Sequence, residues 1–219
     1  MADLYASYAA LAAARVEGVD YSRTAVSPAG ASWASIAIHG GSIEAGSGEV
    51  ARGVAGGSLR FYEFAGLLDS GNGELHLTSS RFDEPLALDV VGGAMGTLSF
   101  HGYTGAAGWA ETAIGGLDRA MVERVAAALR LRGFAVVDAR GRIAGDHPAN
   151  ICNRNVRSAG VQLEMSRALR AGFFPRGDLS QQMRDSGRRT DTFRAYVAAV
   201  RSALVDREPA VPGSLRLSR

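Results

Sequence analysis

Two histidines in matching contexts carry the first sign of chemistry. In Ala34 to Glu44 (Ala-Ser-Ile-Ala-Ile-His-Gly-Gly-Ser-Ile-Glu) an apolar run that reads as a buried strand ends on His39, two glycines turn the chain, and Glu44 opens a predicted helix. Thr97 to Phe100 is a second apolar run, and it too ends on a histidine followed by glycine, His101-Gly102. If the two strands are neighbours, both imidazoles leave the same edge of a sheet beside Glu44, where ligands collect in open α/β folds. Two histidines, one carboxylate and an open fourth position form the catalytic zinc arrangement. The same contexts also arise when strand-end histidines simply satisfy their own hydrogen bonds. His76, between Leu75 and Leu77, fits a supporting or packing role better than ligation, and His147 beside Pro148 reads as a surface residue.

The elements that must hold these groups follow from periodicity and turn residues. Helices are expected over residues 3 to 17, 44 to 55, 85 to 91, 118 to 132 and 191 to 205, with Leu117, Met121, Val122, Val125 and Leu129 on one face of the fourth. Strands are expected up to His39, over Leu59 to Phe64, Glu74 to Thr78, Thr97 to Phe100, Phe134 to Asp138 and Gly160 to Met165, the last delivering Glu164. Residues 20 to 28 read as an irregular connection, 140 to 157 as a long polar loop and 175 to 189 as an arginine-rich loop. The Leu59 to Phe64 and Glu74 to Thr78 segments read as a hairpin. The order implies an α/β fold: a single domain over 1–207 with a mixed sheet and helices on both faces, then a mobile tail over 208–219.

Composition narrows the function classes. The chain has 219 residues, 47% of them hydrophobic, which is enough for one sizeable core. It contains no lysine, so all 24 basic residues are arginines, each offering a planar fork that matches a carboxylate or phosphate. A net charge of +2 is compatible with an acidic substrate and too mild to argue for nucleic acid. The arginines are scattered, with no basic stripe or recognition helix. A single cysteine, Cys152, excludes an internal disulfide framework and a cysteine-rich metal site, and reads as a small buried hydrophobe. No signal peptide or membrane span is expected, so the protein is expected in the cytoplasm, with release on lysis if phage-derived.

Several further motifs stand in order along the chain: Phe61-Tyr-Glu-Phe-Ala-Gly66, Leu75-His-Leu-Thr-Ser79, Phe82-Asp-Glu-Pro85, Ser99-Phe-His-Gly102, Ile114-Gly-Gly116, Asn150-Ile-Cys-Asn-Arg154 and Gly160-Val-Gln-Leu-Glu-Met-Ser166. With His39-Gly-Gly-Ser-Ile-Glu44 they make the chain, over about residues 3 to 175, similar to the bacteriophage poly-gamma-glutamate hydrolase family, of which related bacterial sequences are labelled phage-related replication proteins. That resemblance implies a fold like the zinc carboxypeptidases, with His39, Glu44 and His101 as zinc ligands and Glu164 as the catalytic carboxylate. His39 and Glu44 are five apart, where ordinary carboxypeptidases place the pair three apart; the family shares the wider spacing.

A zinc hydrolase of this kind activates water and polarises the scissile carbonyl while a carboxylate moves the proton. A polyanionic substrate also needs cations, and Arg81, Arg154 and Arg157 are the expected clamps. Tyr62 and Tyr103 fit either substrate contact or packing. A zinc amidohydrolase for another acidic amide would use the same residues, and a non-catalytic replication-associated protein is the remaining alternative.

Overall fold

Along an extended chain successive side chains point to opposite faces. In Trp33–Gly41 (β2) this sends Ile36 and Ile38 into one buried cluster and Ala37 into another. The computed structural model describes residues 3–205, so the expected tail at 208–219 lies outside the described residues. The other strands are Tyr21–Val26 (β1), Arg60–Gly66 (β3), Gly96–Tyr103 (β4), Glu111–Gly116 (β5), Ala135–Asp138 (β6) and Val161–Ser166 (β7). They form one sheet in the order β1-β3-β2-β4-β7-β5-β6. The run β3-β2-β4-β7 is parallel, β1 lies antiparallel on β3, and β5 lies antiparallel on β7 with β6 parallel to it. The fold is thus a single-domain α/β structure on a mixed sheet, as expected from the sequence.

Helices cover both faces. Tyr8–Ala14 (α1) and Pro85–Gly92 (α3) pack over Ile36, Ile38, Tyr62 and Phe64. On the other face Ser47–Ala55 (α2), Arg119–Leu131 (α4), Arg167–Gly172 (α5), Gln181–Asp185 (α6) and Asp191–Leu204 (α7) share a core with Phe100, Leu163 and Met165. The α4 face is Met121, Val122, Val125, Ala126 and Leu129, close to the expected stripe. Burying each such side chain contributes about 1.5–3 kcal/mol.

Over β4 and β7 the first face is not apolar. Thr97, Ser99, His101, Gln162 and Glu164 are all buried there. Their cover is the polar loop from 140 to 157, which contains two short 3-10 turns and satisfies its own backbone with asparagines. Asn155 Nδ2 donates to Thr97 Oγ1, Cys152 O and Ala159 O, while its Oδ1 accepts from Arg157 N and Ala159 N. Asn153 Nδ2 donates to Gly145 O and His147 O, and its Oδ1 accepts from Gly160 N. Gly160 must be glycine, since a Cβ there would sit 2.0 Å from Cys152 O.

Several expectations are corrected. The N-terminal helix is α1 alone; Ser7 caps it and Asp3, outside it, binds the loop at Thr78. Residues 21–26 are a strand, an edge partner of β3 whose alternation is masked by short polar side chains. The 74–78 segment is not a strand and there is no hairpin with β3: Asn72–Leu75 is a 3-10 turn, and the antiparallel partner of β3 is β1. β5 is a strand that the sequence does not signal, because its glycines interrupt a short apolar run. Glu44 precedes α2 rather than opening it, and the arginine-rich loop contains α6.

The asparagine cover generates a stability prediction. Asn155→Ala removes one side chain's bonds to five partner atoms in a buried setting, so urea unfolding should show a loss of about 2–4 kcal/mol. A loss under about 0.5 kcal/mol would show that water replaces those bonds.

Candidate metal centre and its cleft

Because β2, β4 and β7 are parallel, their carboxyl ends lie together. His101 and Glu164 are register partners across β4 and β7, and β2 pairs beside β4 through Ile36 and Ser99. The β2–β3 ladder shifts register between Ala37 and Gly40, which is where His39 stands. Gly40 and Gly41 then turn the chain in a space that excludes side chains: a Cβ on Gly40 would lie 2.6 Å from Glu63 Oε1, and one on Gly41, at φ +60°, 2.5 Å from Gly66 O. The turn closes as Glu44 N donates to His39 O at 3.0 Å.

The result is a tight cluster of donor atoms. His39 Nδ1 and His101 Nδ1 face each other at 3.1 Å, and the two Glu44 oxygens lie 2.9 Å from the first and 3.4 Å from the second. The outward nitrogens are engaged elsewhere. His39 Nε2 lies 2.9 Å from the Leu77 carbonyl, which can only accept, so Nε2 carries an N–H and Nδ1 is the nitrogen turned toward Glu44. Ser99 Oγ, 3.0 Å from His101 Nε2, is placed to accept in the same way. Two ring nitrogens and an anionic oxygen converge in a site where each histidine is only 2% exposed. Such a set needs shared positive charge, either a proton on an imidazole or a cation among the three. The three residues form the one group of metal-ligand type found among the described residues, with donor atoms all within 4.8 Å. Imidazoles oriented by second hydrogen bonds, with a carboxylate, suit zinc.

Burial would raise the Glu44 carboxyl, but the adjacent histidines hold it well below the usual carboxylate range. Burial would lower the His101 imidazole, and the Glu44 carboxylate reverses this and raises it. The Glu164 carboxyl is raised by burial, with repulsion from Glu44 adding to it against the pull of His101. Glu164 Oε1 accepts from Gln162 Nε2 at 2.9 Å.

A cleft of about 640 Å³ opens onto this cluster, past Glu164 to the Gly141–His147 wall. His76 lines it and stacks on His39, ring centroids 4.1 Å apart. Its Nδ1 meets Asp3 Oδ1 at 2.9 Å, and burial together with the charge of His39 lowers its pKa to about 4. It stands beside the His39, Glu44 and His101 group through that ring contact. Tyr103 lines the cleft with its hydroxyl on Glu111, whereas Tyr62 is fully buried against Phe82. His147 is exposed but belongs to the cleft wall, and Cys152 is fully buried.

One buried arginine ties the site together. Arg170 donates to Ala45 O (2.6 Å), Tyr103 O (3.2 Å) and Met165 O (3.1 Å), the carbonyls one residue after Glu44, two after His101 and one after Glu164. Gly102 leaves room for that guanidinium, since a Cβ would come 2.5 Å from it, and its N–H donates to Glu44 Oε2 at 2.8 Å. From the other side Arg184 holds Ser42 Oγ at 2.7 Å. Nothing in the sequence around Arg170 or Asp3 marks these roles; both depend on contacts between distant segments.

The expected clamps are placed otherwise. Arg157 lies at the far, amino end of the parallel strands, paired with Asp118, bonded to Met95 O and stacked over Trp33, so it does not reach the cleft. The polar loop crosses the sheet, and its two ends face opposite edges. Arg81 and Arg154 are exposed and lie outside the cleft lining. The arginine that does line it is Arg142. A basic residue beside a glycine in the polar loop was the available signal.

Comparison with known proteins matches this geometry to a family. The chain is 36% identical over 167 residues to the SPbeta prophage-derived protein YoqZ of Bacillus subtilis (strain 168), covering 75% of this chain and 59% of YoqZ. It is 35% identical to YmaC of the same organism, over 76% of this chain and 69% of YmaC. Among solved structures it superposes on a bacteriophage poly-gamma-glutamate hydrolase with a TM-score of 0.87 at 35% identity, covering 92% of this chain and 96% of that one. It superposes on a zinc-free apo form of YndL with a TM-score of 0.85 at 31% identity, covering 93% and 98%. The family model for poly-gamma-glutamate hydrolase matches residues 5–199, and the chain, with its paired histidines and Glu44 at the carboxyl edge of the sheet, belongs to that family.

Proposed function

We propose that the chain is a zinc-dependent hydrolase that cleaves the gamma-glutamyl amide bonds of poly-gamma-glutamate, with His39, Glu44 and His101 as the metal ligands and Glu164 as the general base. The observation that carries this reading is the convergence of two imidazole nitrogens and a carboxylate, with little exposure, at the floor of a cleft that also holds the buried Glu164. A fold like the zinc carboxypeptidases belongs to the same reading.

Bound zinc supplies Lewis acidity toward water and an amide carbonyl. The protein's own groups do the rest. Glu164 Oε1 is occupied by Gln162, which leaves Oε2 to take the water proton and return it to the departing amide nitrogen. Its raised pKa makes it a stronger base than an exposed glutamate and lets it hold the proton until the C–N bond breaks. The Leu77 carbonyl and Ser99 keep the two imidazoles in the ligating orientation. His76, neutral near pH 7, adds no competing charge beside them.

Zinc-loaded protein incubated with poly-gamma-glutamate should shorten the polymer, with little action on alpha-linked polyglutamate, whose free carboxylates stand two methylenes farther from the backbone. Comparable rates on both would reject the substrate assignment and leave the hydrolase standing. Metal analysis should find about one zinc per chain, lost in His39→Ala and His101→Ala and retained in His147→Ala; full zinc in the His101 variant would remove it from the ligand set. Glu164→Gln keeps the shape but cannot accept a proton, so it should stay zinc-loaded with turnover reduced at least about 100-fold. Undiminished turnover would place the base elsewhere.

A further inference from the structure

The cleft poses an electrostatic problem for a polyanion. It is lined by the carboxylates of Glu44, Asp146 and Glu164, and Arg142 is the only arginine among its lining residues. Arg142 is exposed, and its guanidinium makes no hydrogen bond or ion pair with the described residues, unlike Arg157 with its Asp118. Its backbone, by contrast, is fixed. The carbonyl of the next residue, Ile143, accepts from Gln162 Nε2 at 3.2 Å, and the same amide donates to Glu164 Oε1. Ala144 O accepts from Gly116 N at 2.9 Å, and Gly145 O accepts from Asn153 Nδ2 at 2.8 Å. The turn bearing Arg142 is therefore registered against Glu164 through one shared glutamine.

We propose that Arg142 is the specificity-determining cation of the cleft, gripping with its two-pronged guanidinium the free alpha-carboxylate of a gamma-linked glutamate residue near the scissile amide. This rests on the reaction proposed above. A gamma-linked chain presents one such carboxylate per residue, so a chain lying along the cleft between the His39, Glu44 and His101 group and the Gly141–His147 wall carries carboxylates past Arg142. A guanidinium is suited to it because it stays charged and binds a carboxylate with two parallel hydrogen bonds. Unpaired among the described residues, Arg142 has no ion pair there to break on binding.

The test compares Arg142→Ala, Arg142→Lys and Arg119→Ala, the last an exposed arginine of α4 at the far end of the sheet. On poly-gamma-glutamate, Arg142→Ala should raise KM about 10- to 100-fold with kcat within about threefold, and Arg142→Lys should recover part of the loss. The rise of KM with salt should flatten in Arg142→Ala, because the screened contact is gone. Zinc content and melting temperature should be unchanged, and Arg119→Ala should match the wild type. An unchanged KM in Arg142→Ala, or a fall in kcat alone, overturns the proposal. A separate titration of zinc-loaded protein with a gamma-linked glutamate trimer keeps the two readings apart. If the wild type leaves the polymer uncut, the reaction assignment fails; Arg142 still stands if its alanine variant binds the trimer about tenfold or more weakly, and falls if binding is equal or absent in both.

Discussion

A half-buried carboxylate that must be answered by positive charge is the constraint on which this structure turns. Glu44 lies between His39 Nδ1 and His101 Nδ1, and both rings have committed their other nitrogens to Leu77 O and Ser99. Removing a carboxylate from water costs several kcal/mol unless the field around it compensates. The two imidazoles can answer that charge only by holding a proton or by ligating a cation, so the same arrangement that is poor design for stability is a good one for holding a cation.

That arrangement is kept in place by contacts that are themselves buried and polar. Arg170 joins the three segments carrying Glu44, His101 and Glu164 through their carbonyls, and only the absence of a side chain at Gly102 lets its guanidinium in. On the opposite side the asparagine loop replaces the helix that would usually cover β4 and β7. A helix would have presented an apolar stripe, whereas Asn150, Asn153 and Asn155 satisfy backbone and side-chain groups at once and leave Gln162 and Glu164 polar surroundings. The cleft exists because that face of the sheet is not sealed by a hydrophobic layer.

Much of this was legible in the sequence because strong patterns made it so. The strand-His-Gly contexts at His39 and His101 placed two groups that meet, and the periodicity of α4 and α7 needed no tertiary information. What could not be read was anything decided by pairing between distant segments. The Tyr21–Val26 strand exists because β3 offers it an edge, and the Glu74–Thr78 segment loses its apparent strand because Asp3 claims the Thr78 N–H and hydroxyl. Arginines were the least legible: their chemistry is the same everywhere in the chain, and only the path of the polar loop puts Arg142 in the cleft and Arg157 beside Asp118.

Strand order also has a temporal meaning. β7 lies between β4 and β5, yet it is made after both. On the ribosome, where domains grow from the amino end, β1 to β4 and the whole His39, Glu44 and His101 set emerge well before Glu164 does. The nascent chain therefore carries His39, Glu44 and His101 before it carries Glu164, and β4 and β5 reach their final places only when β7 pairs with both. Synthesis itself thus sets an interval between the histidine and carboxylate cluster and the buried glutamate that completes the cleft floor.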